Sequence, residues 1–102
     1  MTKADLINEI STKTGIDKMA VQTVVESMMK VVKTTIQSKD SVYLRGFGSF
    51  IPKKRAQKTG RIISKNQPII IPEHYIPAFK PAKTFLERVK TSIAKIEKEQ
   101  QA

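Results

Sequence analysis

Residues 42–55 read Val42-Tyr43-Leu44-Arg45-Gly46-Phe47-Gly48-Ser49-Phe50-Ile51-Pro52-Lys53-Lys54-Arg55. Val42 and Leu44 alternate with Tyr43 and Arg45, which is the two-residue period of a strand. Gly46 and Gly48 permit a tight reversal, and Phe47 and Phe50 bring large apolar surfaces that need cover. From Ile51 to Ile76 the pattern predicts two long strands around a polar turn at Ser64-Lys65-Asn66-Gln67, where Asn66 tolerates a left-handed backbone. Strands of ten to twelve residues reach roughly 35–40 Å at 3.3 Å per residue. That exceeds the width of a body this small, so the hairpin is expected to protrude. Pro52, Pro68 and Pro72 each lack a ladder donor, which suits edges or bulges better than a closed sheet.

Upstream of this stretch the period is helical. Thr2 followed by Asp5 is a capping-box-like start, with Asp standing in for the usual Glu. Ala4, Leu6, Ile7 and Ile10 then share one face, and Gly15 supplies a stop. Asp17 is placed to cap a second helix whose apolar positions run Val21, Val24, Val25, Met28, Val31, Val32 and Ile36, the spacing of a buried stripe. Neither helix is basic enough to serve as the recognition helix of a helix-turn-helix reader. Downstream, Pro81 suits the first position of a third helix. Phe85, Val89, Ile93 and Ile96 carry its stripe through Lys98, with Glu99-Gln100-Gln101-Ala102 expected to fray.

Charge is distributed as unevenly as the periodicity. The 102 residues hold 19 Lys and Arg against 9 Asp and Glu, a formal net charge of +10. Residues 1–40 are nearly balanced, whereas residues 41–90 hold eleven bases against Glu73 and Glu87 alone. Between Arg45 and Lys65 stand seven bases (Arg45, Lys53, Lys54, Arg55, Lys58, Arg61 and Lys65) and no acid. A face built only for solubility would mix both signs, so this stretch points to a polyanionic partner. With unbroken alternation, Lys53, Arg55, Gln57, Thr59, Arg61 and Ile63 share one face of the outgoing strand, a parity that a bulge at Pro52 or Gly60 would shift. Ile63 then sits at the tip with little protein to pack against, which favours a functional role, whereas packing within the hairpin accounts for Ile69, Ile70 and Ile71.

Several classes are excluded on composition. The absence of Cys removes disulfide scaffolds and thiolate metal sites. The single His74 cannot form a histidine metal cluster, so no metal and no cofactor is expected. Paired carboxylates, a nucleophile with its base and a Gly-rich phosphate loop are missing, so an enzyme is not expected. No stretch approaches the roughly 18 apolar residues of a membrane span, and nothing at Met1 resembles a signal peptide.

Arg45-Gly46-Phe47-Gly48-Ser49-Phe50, Arg55-Ala56, Gly60-Arg61, Ile71-Pro72 and Pro77-Ala78-Phe79-Lys80-Pro81 resemble, in order and spacing, the bacterial histone-like HU and integration host factor family. Thr2-Lys3-Ala4-Asp5-Leu6-Ile7 and Lys13-Thr14-Gly15 fit it as well. The resemblance implies an α+β fold: an N-terminal helical hairpin, a three-stranded antiparallel sheet with a protruding β-ribbon arm, and a C-terminal helix, paired as an intertwined dimer. It implies one DNA-binding domain over residues 1–90 with an arm at about 52–76, leaving 91–102 as a helical extension or tail. The implied function is architectural: two arms enter the minor groove and bend, wrap and compact DNA with little sequence dependence. Carried over by position, Lys53, Arg55, Lys58 and Arg61 are arm contacts, and Lys3, Lys80 and Lys83 are body contacts. Arg45 and Lys65, from the same acid-free run, join the DNA-binding candidates. The implied location is the cytoplasm, on the nucleoid.

Two departures stand out. The family's usual Asn-Pro after Gly-Arg is here Ile62-Ile63, and the turn glycine is Asn66. Isoleucine is an established apolar wedge, so Ile63 is the intercalation candidate. Nicked, bent or branched DNA is the favoured form of a double-stranded partner, with RNA the alternative. A dimer also follows from size. Without the ribbon about 80 residues remain, and domains of that size bury only about 60–65% of their unfolded surface. Phe47, Phe50 and Phe79 are accordingly assigned to a dimer core. A homodimer is the simplest form, a heterodimer with a paralogue the alternative.

Overall fold

The computed structural model describes residues 1–62 and 67–101. It divides into two compact units, Met1–Thr35 and Ile36–Ala102. The first carries helix α1 (Lys3–Thr14) and most of helix α2 (Lys18–Gln37). α1 starts where the sequence places it: the Thr2 hydroxyl accepts from the Asp5 N–H at 3.2 Å, and the Thr2 N–H donates to the Asp5 carboxylate at 3.0 Å. It stops at Gly15, whose N–H donates to the Ser11 carbonyl at 2.9 Å and whose φ of 74° turns the chain out of the helix. α2 follows Asp17, whose carbonyl accepts from the Val21 N–H. Lys3 in α1 and Glu26 in α2 pair at 3.0 Å.

The second unit continues from the end of α2. A three-stranded antiparallel sheet has the order β1 (Val42–Leu44), β2 (Gly48–Arg55), β5 (His74–Pro81). The β1–β2 turn is closed by the Phe47 N–H on the Leu44 carbonyl at 2.9 Å, with Gly46 at φ 82°. A separate two-stranded sheet pairs β3 (Lys58–Ile62) with β4 (Gln67–Ile71). Helix α3 (Lys83–Gln101) follows β5.

The expected pair of long strands is therefore one ladder with a break. Arg55 lies opposite His74, two residues on each strand are unpaired, and Lys58 then lies opposite Ile71. Equal gaps on both sides keep the register, so neither Pro52 nor Gly60 shifts the pleat. Pro72 falls in the break, where its missing N–H costs no ladder bond. Pro52 faces Pro77. Neither can donate, so this pair must occupy a position that exchanges no hydrogen bonds.

Four other expectations are corrected. Gln67 belongs to β4, opposite Ile62, not to the turn. Pro81 is the last residue of β5, opposite Gly48, and α3 begins two residues later with the Ala82 carbonyl accepting from the Leu86 N–H. The helix does not fray at Glu99 but runs to Gln101. Of the isoleucine triplet, Ile69 and Ile71 pack over Gly60, while Ile70 is 67% exposed, so hairpin packing does not account for it.

Little of the apolar surface is buried. Among the described residues, Ile7 and Val21 are the buried hydrophobics, and Val24, Met28, Val31 and Phe47 are exposed.

Candidate nucleic-acid interface

In an antiparallel ladder, directly opposed residues project from the same face and neighbours along the strand alternate. The register of β1, β2 and β5 therefore sorts their residues into two sets. Tyr43 lies opposite Ser49, and Ser49 opposite Lys80, making one row across all three strands. The same face carries Ile51 opposite Ala78, Lys53 opposite Ile76 and Arg55 opposite His74. The other face carries Val42, Phe50 and Phe79 in a row, then Pro52 opposite Pro77 and Lys54 opposite Tyr75. One face of the sheet is thus basic and the other largely apolar.

The apolar face is organised by aromatic contacts. Phe50 and Phe79 lie 4.9 Å apart between ring centroids, and Phe47 lies 5.2 Å from Phe79 and 5.4 Å from Phe85. Gly48 makes this approach possible, because a Cβ there would stand 2.6 Å from both the Lys80 carbonyl and the Phe79 ring. The three phenylalanines singled out from the sequence do meet. They are not enclosed within one chain: Phe47 is 45% and Phe79 38% exposed. From α3, Phe85 stacks on Phe47 with the rings 16° from parallel.

On the basic face, Arg45, Lys80 and Lys83 line one groove together with Tyr43, Ser49 and Ile51. β1 supplies Tyr43, the turn after it Arg45, β5 Lys80, and the start of α3 Lys83. The N-terminal end of α3 adds the partial positive charge of its free N–H groups. Lys53 and Arg55 continue this face along β2, and among the described residues neither has a carboxylate within ion-pair distance. Glu73 does neutralise a ribbon cation, but it is Lys54, at 3.3 Å, which alternates with Lys53 and Arg55. His74 projects beside Arg55 and its Nδ1 lies 2.9 Å from the Pro72 carbonyl.

The remaining candidates fall elsewhere. Lys58 and the register position of Arg61 are three residues apart in β3, and so alternate in face. Lys3 belongs to the first unit and is engaged with Glu26, whose carboxyl it holds below its ordinary pKa, helped by a hydrogen bond from Gln22. Ile63 and Lys65 lie outside the described residues. Tyr43 was not singled out from the sequence, yet it is 76% exposed on the basic face. Counting back two residues from Arg45 is the signal that would have found it. Among the described residues no group of three or more His, Cys, Asp or Glu is placed to hold a metal ion, and no helix is long and apolar enough to cross a membrane.

Known proteins are similar to this chain in sequence and in fold. The profile of the family described as "Bacterial DNA-binding protein" matches residues 1–90. The DNA-binding protein HU of Thermotoga maritima is 34% identical over 90 residues, which cover 88% of this chain and all of that protein. The integration host factor subunit beta of Shewanella sp. (strain W3-18-1) is 36% identical over 90 residues, 87% of this chain and 95% of its own length. Among solved structures, the Anabaena HU–DNA cocrystal structure superposes with a TM-score of 0.83 at 31% identity, covering 87% of this chain and 97% of that one.

Proposed function

The chain belongs to the bacterial DNA-binding protein family that includes HU and the integration host factor subunits, and from that membership we propose that it is an architectural protein that binds and bends double-stranded DNA as a dimer. The observation that carries the reading is the two-faced sheet. One face holds Arg45, Lys53, Arg55, Lys80 and Lys83 along a continuous track, and the opposite face holds phenylalanines that one chain leaves half exposed. The basic face attracts phosphates and the apolar face calls for a second copy.

Two ribbons on one particle then supply phosphate contacts from Lys53, Arg55, Lys58, Arg61 and Lys65, with Lys3 joining the body contacts once its surface pair with Glu26 exchanges for phosphate. Such a pair is worth little in water, so the exchange is cheap. Ile63 enters between base pairs as the wedge, and the role is binding rather than catalysis, on the nucleoid.

Binding of linear, nicked and pre-bent duplexes at two salt concentrations tests this. Affinity is expected to fall linearly in log–log with salt, at about −0.9 per neutralised phosphate, and to favour the nicked and bent forms. Equal affinity for all three duplexes would remove the bending role, and stronger binding to RNA would reassign the partner.

A further inference from the structure

The family match ends at residue 90, but helix α3 continues without interruption to Gln101. The added turns keep the helix's apolar stripe: Ile93 and Ile96 follow Phe85 and Val89 at spacings of four, four and three. They are 49% and 51% exposed. Charge separates this segment from the rest of the molecule. Lys95 and Lys98 are balanced by Glu97 and Glu99, in a chain whose net charge is +10. A segment serving as a further phosphate contact would carry net positive charge. Balanced charge around two exposed isoleucines suits a protein surface instead.

Ile93 also shares a groove of about 530 Å³ with Gly46, Phe47, Phe85 and Val89. The extension is therefore continuous with the aromatic cluster whose exposure calls for a second copy. We infer that residues 91–101 lengthen the self-association surface, with Ile93 and Ile96 buried against a second copy of this chain. This rests on the dimer of the preceding reading. It adds a seat beyond the matched residues, on a segment whose own charge is balanced.

The test uses the full chain, with self-association measured without DNA and salt-dependent affinity for a linear DNA duplex measured on the same proteins. Self-association is measured by sedimentation equilibrium for the parent, for the double variant Ile93→Gln/Ile96→Gln, and for Lys95→Gln/Lys98→Gln on the polar side. Gln is a good helix former, so α3 should persist, and far-UV circular dichroism checks it. Ile96→Gln alone, near the helix end, serves if the double variant loses helix. The isoleucine variants are expected to dissociate at least tenfold more readily than the parent, and the lysine variant to match it. An unchanged dissociation constant in the isoleucine variants, or a parent monomeric at all concentrations, overturns the inference. So does an intact dimer that has lost salt-dependent DNA affinity, since the stripe would then face DNA. Failure of the parent to bind DNA, with self-association still sensitive to Ile93 and Ile96, would sink the DNA-binding reading and leave this one standing.

Discussion

A Cβ added at Gly48 would stand 2.6 Å from the backbone carbonyl of Lys80, which has no room to move within the β2–β5 ladder. Gly48→Ala is therefore expected to destabilise the protein by about 2–3 kcal/mol through overpacking, read as a lowered denaturation midpoint at unchanged slope. Gly46 is different, because nothing lies within 4 Å of its added Cβ and only its φ of 82° resists substitution. On the basic face, Arg55→Ala is expected to weaken binding to all DNA sequences alike and to reduce the salt slope by about one. A changed base preference at constant slope would mark Arg55 as a base reader. For Ile63, unstacking costs a few kcal/mol per step, least at nicks and flexible pyrimidine–purine steps. Ile63→Ala should then reduce the bend measured by end-to-end energy transfer while sparing much of the salt-dependent affinity, and Ile63→Pro should preserve it. Full bending by Ile63→Ala would make Ile63 strand filler, with Ile62 as the wedge or no wedge at all.

Among the elements, α1 shows a local signal that acts without help from distant residues. Its cap lies within four consecutive residues, and Thr2→Ala is expected to cost about 1 kcal/mol, measured by thermal melting. The Asp5 carboxyl is held below its ordinary value of 3.8 by the Thr2 N–H first and the Thr2 hydroxyl second. A depressed folded-state pKa means that the contribution is complete above the unfolded value and is lost as pH falls through the folded one. The stability difference between the parent and Asp5→Asn should accordingly be constant near neutrality and shrink below about pH 4. A difference that grew on acidification would contradict the cap. The start of α3 shows the opposite case. Pro81 fits a first helical position by its own geometry, yet pairing with Gly48 holds it in β5, because a tertiary ladder outweighs a local preference. The ribbon's break follows the same logic: Pro72 marks it in the sequence, but only the register reveals matching gaps in both strands.

At the scale of the whole molecule the governing fact is unburied apolar surface. Phe47 touches Phe79 and Phe85 and is still 45% exposed. With a second copy covering it, Phe47→Ala is expected to cost about 3–5 kcal/mol. The melting temperature of the parent should also rise with protein concentration, as mass action requires for an obligate dimer. A concentration-independent, cooperative melt at monomeric mass would refute the shared core. In the proposed dimer the particle's formal charge doubles to about +20, which is expected to steepen the salt dependence.

What the sequence determined by itself is everything that depends on neighbours in the chain: the α1 capping box, the stop at Gly15, the turn at Gly46, the alternation from Val42 to Arg45, and the acid-free run from Arg45 to Lys65. Backbone sterics and hydrogen bonds over three or four residues suffice for these. The basic character of the candidate interface was legible for the same reason, since charge needs only a count. Which residues share a face needed the ladder. Tyr43, Ser49 and Lys80 form one row only because β1, β2 and β5 pair in this register, and nothing local records which residue lies opposite which. The sequence likewise marked Phe47 and Phe79 as too large for a surface. Only the tertiary structure decided that one chain leaves them half exposed, because burial depends on how much apolar surface the whole fold can bring to one place.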